Sequence, residues 1–179
     1  MRYILTILIL FNFLFPQSFG QNKVQYNSFD WEYIVSPNTN VYYYGDNKEL
    51  AIFTSKVAEK SIEQIGKHLR WRSNKPIKII VYTSHNDFQQ TNIVNVYMSE
   101  GIGGVTELYK NRIVIPFEGS YKQFEHVIHH ELVHAAINEL VYGGNAQGLI
   151  SGRIRVQVPL WANEGLAEFL SVDWDTNSD

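Results

Sequence analysis

There is no cysteine in the 179 residues. That excludes disulfides, a lipid-modified cysteine behind a leader, and any thiolate metal site. Charge of one sign is missing as well: 15 basic residues stand against 18 acidic ones, with no long run of either. A nucleic-acid partner would call for a basic stripe, so none is expected. Internal repeats and low-complexity tracts are absent, and only one apolar run approaches membrane length. It sits at the very start.

Met1-Arg2 is a short positive opening, and residues 3–15 are then apolar apart from Thr6 and Asn12. Pro16-Gln17-Ser18-Phe19-Gly20 follows, with small residues at Ser18 and Gly20. This is the layout of a secretory signal peptide over residues 1–20, with cleavage expected between Gly20 and Gln21. The alternative is an uncleaved anchor, but the run falls short of the roughly 20 residues that a spanning helix needs. No membrane span is expected once the leader is removed. An exported chain without disulfides must rely on its core or on a metal, which suits a bacterial periplasm or exterior. Residues 21–179 are enough for one domain with a real core.

Along that domain, residues 21–40 are polar and aromatic and read as an extended entry segment. Asn40-Val41-Tyr42-Tyr43-Tyr44 has the content of a strand, stopped by Gly45-Asp46-Asn47. Over residues 49–71, Leu50, Ile52, Phe53, Val57, Ile62, Ile65 and Leu69 recur mostly at three or four, which predicts an amphipathic helix. Ile77-Lys78-Ile79-Ile80-Val81-Tyr82 reads as a central strand, and residues 85–92 as a short helix capped by Ser84. After a glycine turn at 101–104, Arg112-Ile113-Val114-Ile115 is a short strand closed by Pro116. Ser120 with Gln123 has capping-box spacing and opens an amphipathic helix running to Gly143-Gly144. Arg153 to Val158 alternates like an extended segment, and a last helix follows Pro159. The fold class expected is α+β, with a small mixed sheet beside the long helix.

That long helix carries His130-Glu131-Leu132-Val133-His134. His130 and His134 lie one turn apart on one face, where two neutral imidazoles can bind one metal ion. In this pattern Glu131 stands beside the water that the metal activates, ready to take its proton as it attacks a carbonyl. Chance is the competing explanation for so short a motif, as is a solvated face, since His126 and His129 crowd the same helix. Three features weigh against both: the capped helix around the motif, the Pro159 to Glu168 segment downstream, and the export signal. A His126/His130 pair is also geometrically possible, but only His130/His134 places Glu131 where the motif needs it.

His130-Glu131-x-x-His134 followed by Trp161-x-Asn163-Glu164-Gly165-Leu166-Ala167 resembles the gluzincin metallopeptidases, in particular the peptidase MA-like domains and more distantly aminopeptidase N and thermolysin. The resemblance covers about residues 120–171. It implies a zincin-like fold, Glu164 as the third ligand, and Zn2+ as the cofactor. Two His and one Glu with an open position is a recognised catalytic zinc set, and a hard ion such as calcium would want more carboxylates. Glu168, one turn after Glu164, reads equally as an acceptor for a ligand imidazole or as a surface carboxylate. Asn163 is either structural or orienting. Gly104-Val105-Thr106-Glu107 is similar to the Gly-x-x-Glu with which related aminopeptidases hold a free amino terminus, which would make Glu107 substrate-binding; a strand-edge glutamate beside a turn is the plainer reading.

Two departures from the family bear on the cleft. The connector from His134 to Glu164 is longer than usual, so residues 143–158 are expected to form a loop beside the site. Relatives also continue into a C-terminal helical subdomain that often supplies an oxyanion-stabilising group, and nothing after Glu164 provides one. The domain is therefore expected to be incomplete at its C-terminus, with further domains beyond it; an upstream Tyr in that role is the other option. The function expected is a secreted zinc metallopeptidase acting on a peptide or protein substrate. The alternative is an exported binding or scaffold module with a structural or vestigial zinc site.

Overall fold

The computed structural model describes residues 23–94, 98–99, 101–108, 110–143 and 158–172. The expected signal peptide (1–20) and residues 144–157, which hold most of the expected loop at 143–158 and of the expected extended segment, lie outside them. The order is β1 (Trp31–Val35), β2 (Thr39–Tyr44), α1 (Lys48–Leu69), β3 (Ile77–Tyr82), α2 (His85–Gln89), β4 (Val105–Thr106), β5 (Arg112–Pro116), α3 (Tyr121–Tyr142) and α4 (Leu160–Ser171). The strands form one sheet in the order β1-β2-β3-β5-β4. Its centre, β2-β3-β5, is parallel, and the two edges pair antiparallel. Among the described residues this is a mixed α/β fold with five strands and four helices.

Period-two side-chain alternation gives the sheet two apolar faces. Ile77, Ile79, Val81, Ile113 and Ile115 point into the larger core with Leu50, Val57, Ile62 and Ile65 of α1 and Ile128, Leu132 and Ala136 of α3. Ile80, Tyr82 and Val114 point the other way, under Phe88 and Met98. Each fully buried aliphatic side chain contributes about 1.5–3 kcal/mol relative to exposure, so the central strands lock the sheet to α1 and α3. α1 ends where Arg70 turns left-handed at φ 51° and its N–H reaches the Gly66 carbonyl. Gly66 has to be glycine, because a Cβ there would lie 2.8 Å from the Trp71 carbonyl oxygen. The returning Trp71 then donates its indole N–H to Glu139 of α3 at 2.7 Å, tying the two long helices together.

Four differences from the sequence reading have physical causes. Within the extended entry segment, residues 31–35 go further than the sequence reading and pair as edge strand β1, from Trp31↔Tyr44 to Val35↔Asn40. An edge strand buries little, so it lacks the alternation that would mark it. β4 has only two residues and exists through its pairing with β5. α2 stops at Gln89, not near residue 92: the Gln90 and Thr91 amides turn back to the Asp87 and Phe88 carbonyls, three residues away instead of four. α3 is buried almost all round between Glu131 and Ile137, rather than on one stripe, because α1, the sheet and α4 each cover part of it. The caps read from the sequence are present: Ser84 accepts from the Asp87 amide and Ser120 from the Gln123 amide. No described helix is long and apolar enough to cross a membrane.

The turn between β1 and β2 is held from α1 by Glu59. Its carboxylate accepts from Ser36 Oγ at 2.7 Å, Asn38 N at 2.9 Å, Asn38 Nδ2 at 2.7 Å and Thr39 Oγ1 at 3.2 Å. Burial alone would raise this carboxyl, but the four donors outweigh it and hold it below the ordinary carboxylate value. A depressed native pKa gives stability that is present above the unfolded value and lost as pH falls through the native one. Glu59→Gln should cost about 1–3 kcal/mol at neutral pH by urea unfolding. The difference from the parent should close on acidification below the ordinary carboxylate range, not on alkalinisation. A constant difference down to strongly acid pH would rule out the charge of Glu59 as its source.

Candidate metal centre

The site is built where α3 and α4 cross. α3 is capped by Ser120 and closed by Gly143, which adopts φ 60° and donates to the Glu139 carbonyl. His130, Glu131 and His134 fall in its middle, where Leu132, Val133, Ala135 and Ala136 are fully buried and fix the rotation of the helix. α4 begins after Pro159, and its Ala167 is buried without any exposed surface. With Ala167 inward, Glu164 and Glu168 project one turn apart toward the histidines.

Three donor atoms converge. His130 Nε2 and His134 Nε2 are 3.1 Å apart, and Glu164 Oε2 is 3.4 Å from each. Tetrahedral zinc bonded at roughly 2.0–2.1 Å sets neighbouring donors about 3.3–3.4 Å apart, so the triangle matches. Two ring nitrogens facing each other either share a proton or present lone pairs to a common cation. The histidine side chains are 20% and 11% exposed, whereas Glu164 is 51% exposed and keeps the centre open on its side. Burial, followed by the neighbouring His134, holds the His130 imidazole below its ordinary pKa, while Glu164 and Glu168 pull it back. A neutral imidazole is the form that ligates.

Glu131 lies beside the triangle and is buried. Its carboxylate Oε2 is 2.6 Å from Thr106 Oγ1 of β4, and its backbone carbonyl is 2.9 Å from the same hydroxyl. The strand reaches it because Gly104 has no side chain: a Cβ there would meet Glu131 Oε1 at 3.0 Å and Ile115 Cγ2 at 2.9 Å. Burial pushes the Glu131 carboxyl above its ordinary value, Thr106 and His134 oppose this, and the Glu164 charge adds to it. A carboxylate raised toward the working pH is suited to general-base work.

The remaining sequence candidates divide. Glu168 Oε2 is 3.6 Å from His130 Nδ1 and 3.5 Å from His126 Nε2, so it stands between the two imidazoles. Asn163 lines the same cavity, about 500 Å³ in volume, as the three ligand candidates. Its Oδ1 and His134 Nδ1, an acceptor and a ring nitrogen, are both buried with no hydrogen-bond partner among the described residues. Glu107 is placed elsewhere. It is clamped by Arg112 at 2.5 Å and 2.9 Å and does not line that cavity. No tyrosine lines the cavity among the described residues. Thr106 and Gly104 are the site residues that sequence reasoning missed. Their only local signal is a β-branched pair behind a glycine turn, since the contact with Glu131 spans 25 residues.

No protein-family model matches the chain, and no curated protein or solved structure matches it.

Thr106→Val would leave a buried carboxylate without its donor. It should lower stability by about 1–3 kcal/mol in urea unfolding, while Thr106→Ser should restore most of the loss. Equal stability of the Val and Ser variants would mean that the hydroxyl does not hold Glu131.

Proposed function

We propose that this chain is a zinc metallohydrolase, a peptidase of gluzincin type with a zincin-like fold. Its metal ligands are His130, His134 and Glu164, and Glu131 is the general base. The donor triangle carries this reading, because two imidazole nitrogens and one carboxylate oxygen from two separate helices are spaced as a tetrahedral ion requires. Zinc fits the donor set better than calcium or magnesium, which want more oxygens. A divalent ion held there supplies a Lewis acid and lowers the pKa of water.

The protein's own groups do the rest. Glu131 takes the proton of the attacking water and returns it to the leaving amine. Thr106 holds one oxygen of the Glu131 carboxylate, and Glu131 lines the cavity. Glu168, whose Oε2 is 3.6 Å from His130 Nδ1, is the carboxylate placed to orient that imidazole, and Asn163 stands in the same cavity. The buried, held base is what separates this reading from a structural zinc site, where a carboxylate beside the ligands serves no purpose. The open cavity suits a peptide or protein substrate, and the expected leader fits a reaction outside the cytoplasm.

Glu131→Gln should bind zinc as the parent does and lose hydrolysis of a mixed peptide library by about 10²–10⁴-fold. Unchanged cleavage by that variant would remove Glu131 from the chemistry. A fully loaded parent that cleaves no peptide would favour the exported binding module. Zinc retention should also depend on pH with a definite sign. Protons compete with the metal for the imidazoles, and His130 is held below its ordinary pKa. Release followed by a chromogenic chelator should therefore fall below the ordinary imidazole range; release at or above that range would contradict the assignment of His130.

A further inference from the structure

We propose that His126 and Glu168 take up a second, weaker divalent cation, and that its binding disables the site by removing Glu168 from His130. The inference rests on the reading of His130, His134 and Glu164 as the first metal site. His126 stands one turn before His130 on α3, and Glu168 one turn after Glu164 on α4. The crossing of the two helices thus repeats, one turn along, the pairing that makes the first site. His126 Nε2 is 3.5 Å from Glu168 Oε2, and that same oxygen is 3.6 Å from His130 Nδ1. One donor atom from each of the three residues lies within 4.8 Å of the others.

Geometry and exposure rank the two sites. The second set is more widely spaced, its His126 and Glu168 side chains are 40% and 59% exposed, and its third member is already committed through Nε2. It therefore binds more weakly than the first and exchanges freely with solvent through the shared cavity, whose wall includes both His126 and Glu168. An imidazole with a carboxylate selects zinc, cobalt, nickel or copper over magnesium or calcium.

The consequence for function follows from the shared oxygen. With one ion bound, His130 Nδ1 keeps its proton and needs an acceptor, and Glu168 Oε2 is the carboxylate oxygen beside it. A cation on His126 draws the same oxygen away. His130 then loses the partner that orients it, so excess metal inhibits where the first equivalent activates.

The test is zinc titration of the full chain by equilibrium dialysis with elemental analysis, alongside peptide cleavage. The parent should take up two equivalents, the second at least about tenfold more weakly, and cleavage should rise with the first and fall with the second. His126→Gln, a surface change, should take up one equivalent with the first affinity kept within about twofold and should show no inhibition by excess zinc. Magnesium should fill neither site. A parent that stops at one equivalent, or a His126→Gln variant that still takes up two, overturns the proposal. His134→Ala separates the two levels: it should abolish the tight equivalent and leave the weak one. If the tight equivalent survives in His134→Ala, it is the first metal site that has been misassigned.

Discussion

The packing of α4 onto α3 is the contact on which everything at the site depends. Ala167 has no exposed surface, and neither do Ala135 and Ala136 of α3. Ala167 joins the same core as α3, and the packing of the two helices leaves Glu164 Oε2 at 3.4 Å from two imidazoles that belong to a different element. α3 in turn is fixed by the sheet and by α1, through the isoleucines of β3 and β5 and through the Trp71–Glu139 hydrogen bond. The sheet bears on the site through α3, which packs against β4 and β5. It sets the rotation of α3, and the rotation of α3 decides which way His130 and His134 face.

Around that contact the molecule concentrates the carboxylates and imidazoles that, among the described residues, it leaves unburied elsewhere. Glu131 is the buried carboxylate and His134 the buried imidazole among the described residues, and His130 lies partly buried beside them. Burying a carboxylate is costly unless it is hydrogen-bonded, and a single donor from Thr106 only partly offsets the cost. The two carboxylates Glu131 and Glu164 also raise each other's free energy when both are ionised. A divalent cation among these groups would relieve the repulsion and use the neutral imidazoles as they stand. Buried, mutually unfavourable charge of this kind is characteristic of functional sites, where a perturbed group is retained for its chemistry.

The legible parts of the sequence were those with a local physical signal. The period of α1, the β-rich run of β3 and the Ser120 cap of α3 each arise within one segment, and each lies where the pattern puts it within a few residues. His130, Glu131 and His134 were readable for the same reason, since i, i+1 and i+4 on a helix define their own geometry. Glu164 was reachable only through a family resemblance, because nothing local shows that α4 folds back onto α3. The strands β1 and β4 were illegible because they owe their form to partners: one is an exposed edge, the other two residues held by β5. Thr106 illustrates the limit. The segment around it drew notice for Glu107, whereas the structure turns Glu107 to Arg112 and gives Thr106 to Glu131.

Zinc K-edge X-ray absorption on protein loaded with one equivalent tests the central claim most directly. Convergence of His130, His134 and Glu164 on one ion predicts two imidazoles and at least one oxygen as nearest neighbours, at roughly 2.0–2.2 Å, with the outer-shell scattering of histidine rings. A first shell of oxygens alone, without imidazole scattering, would contradict it.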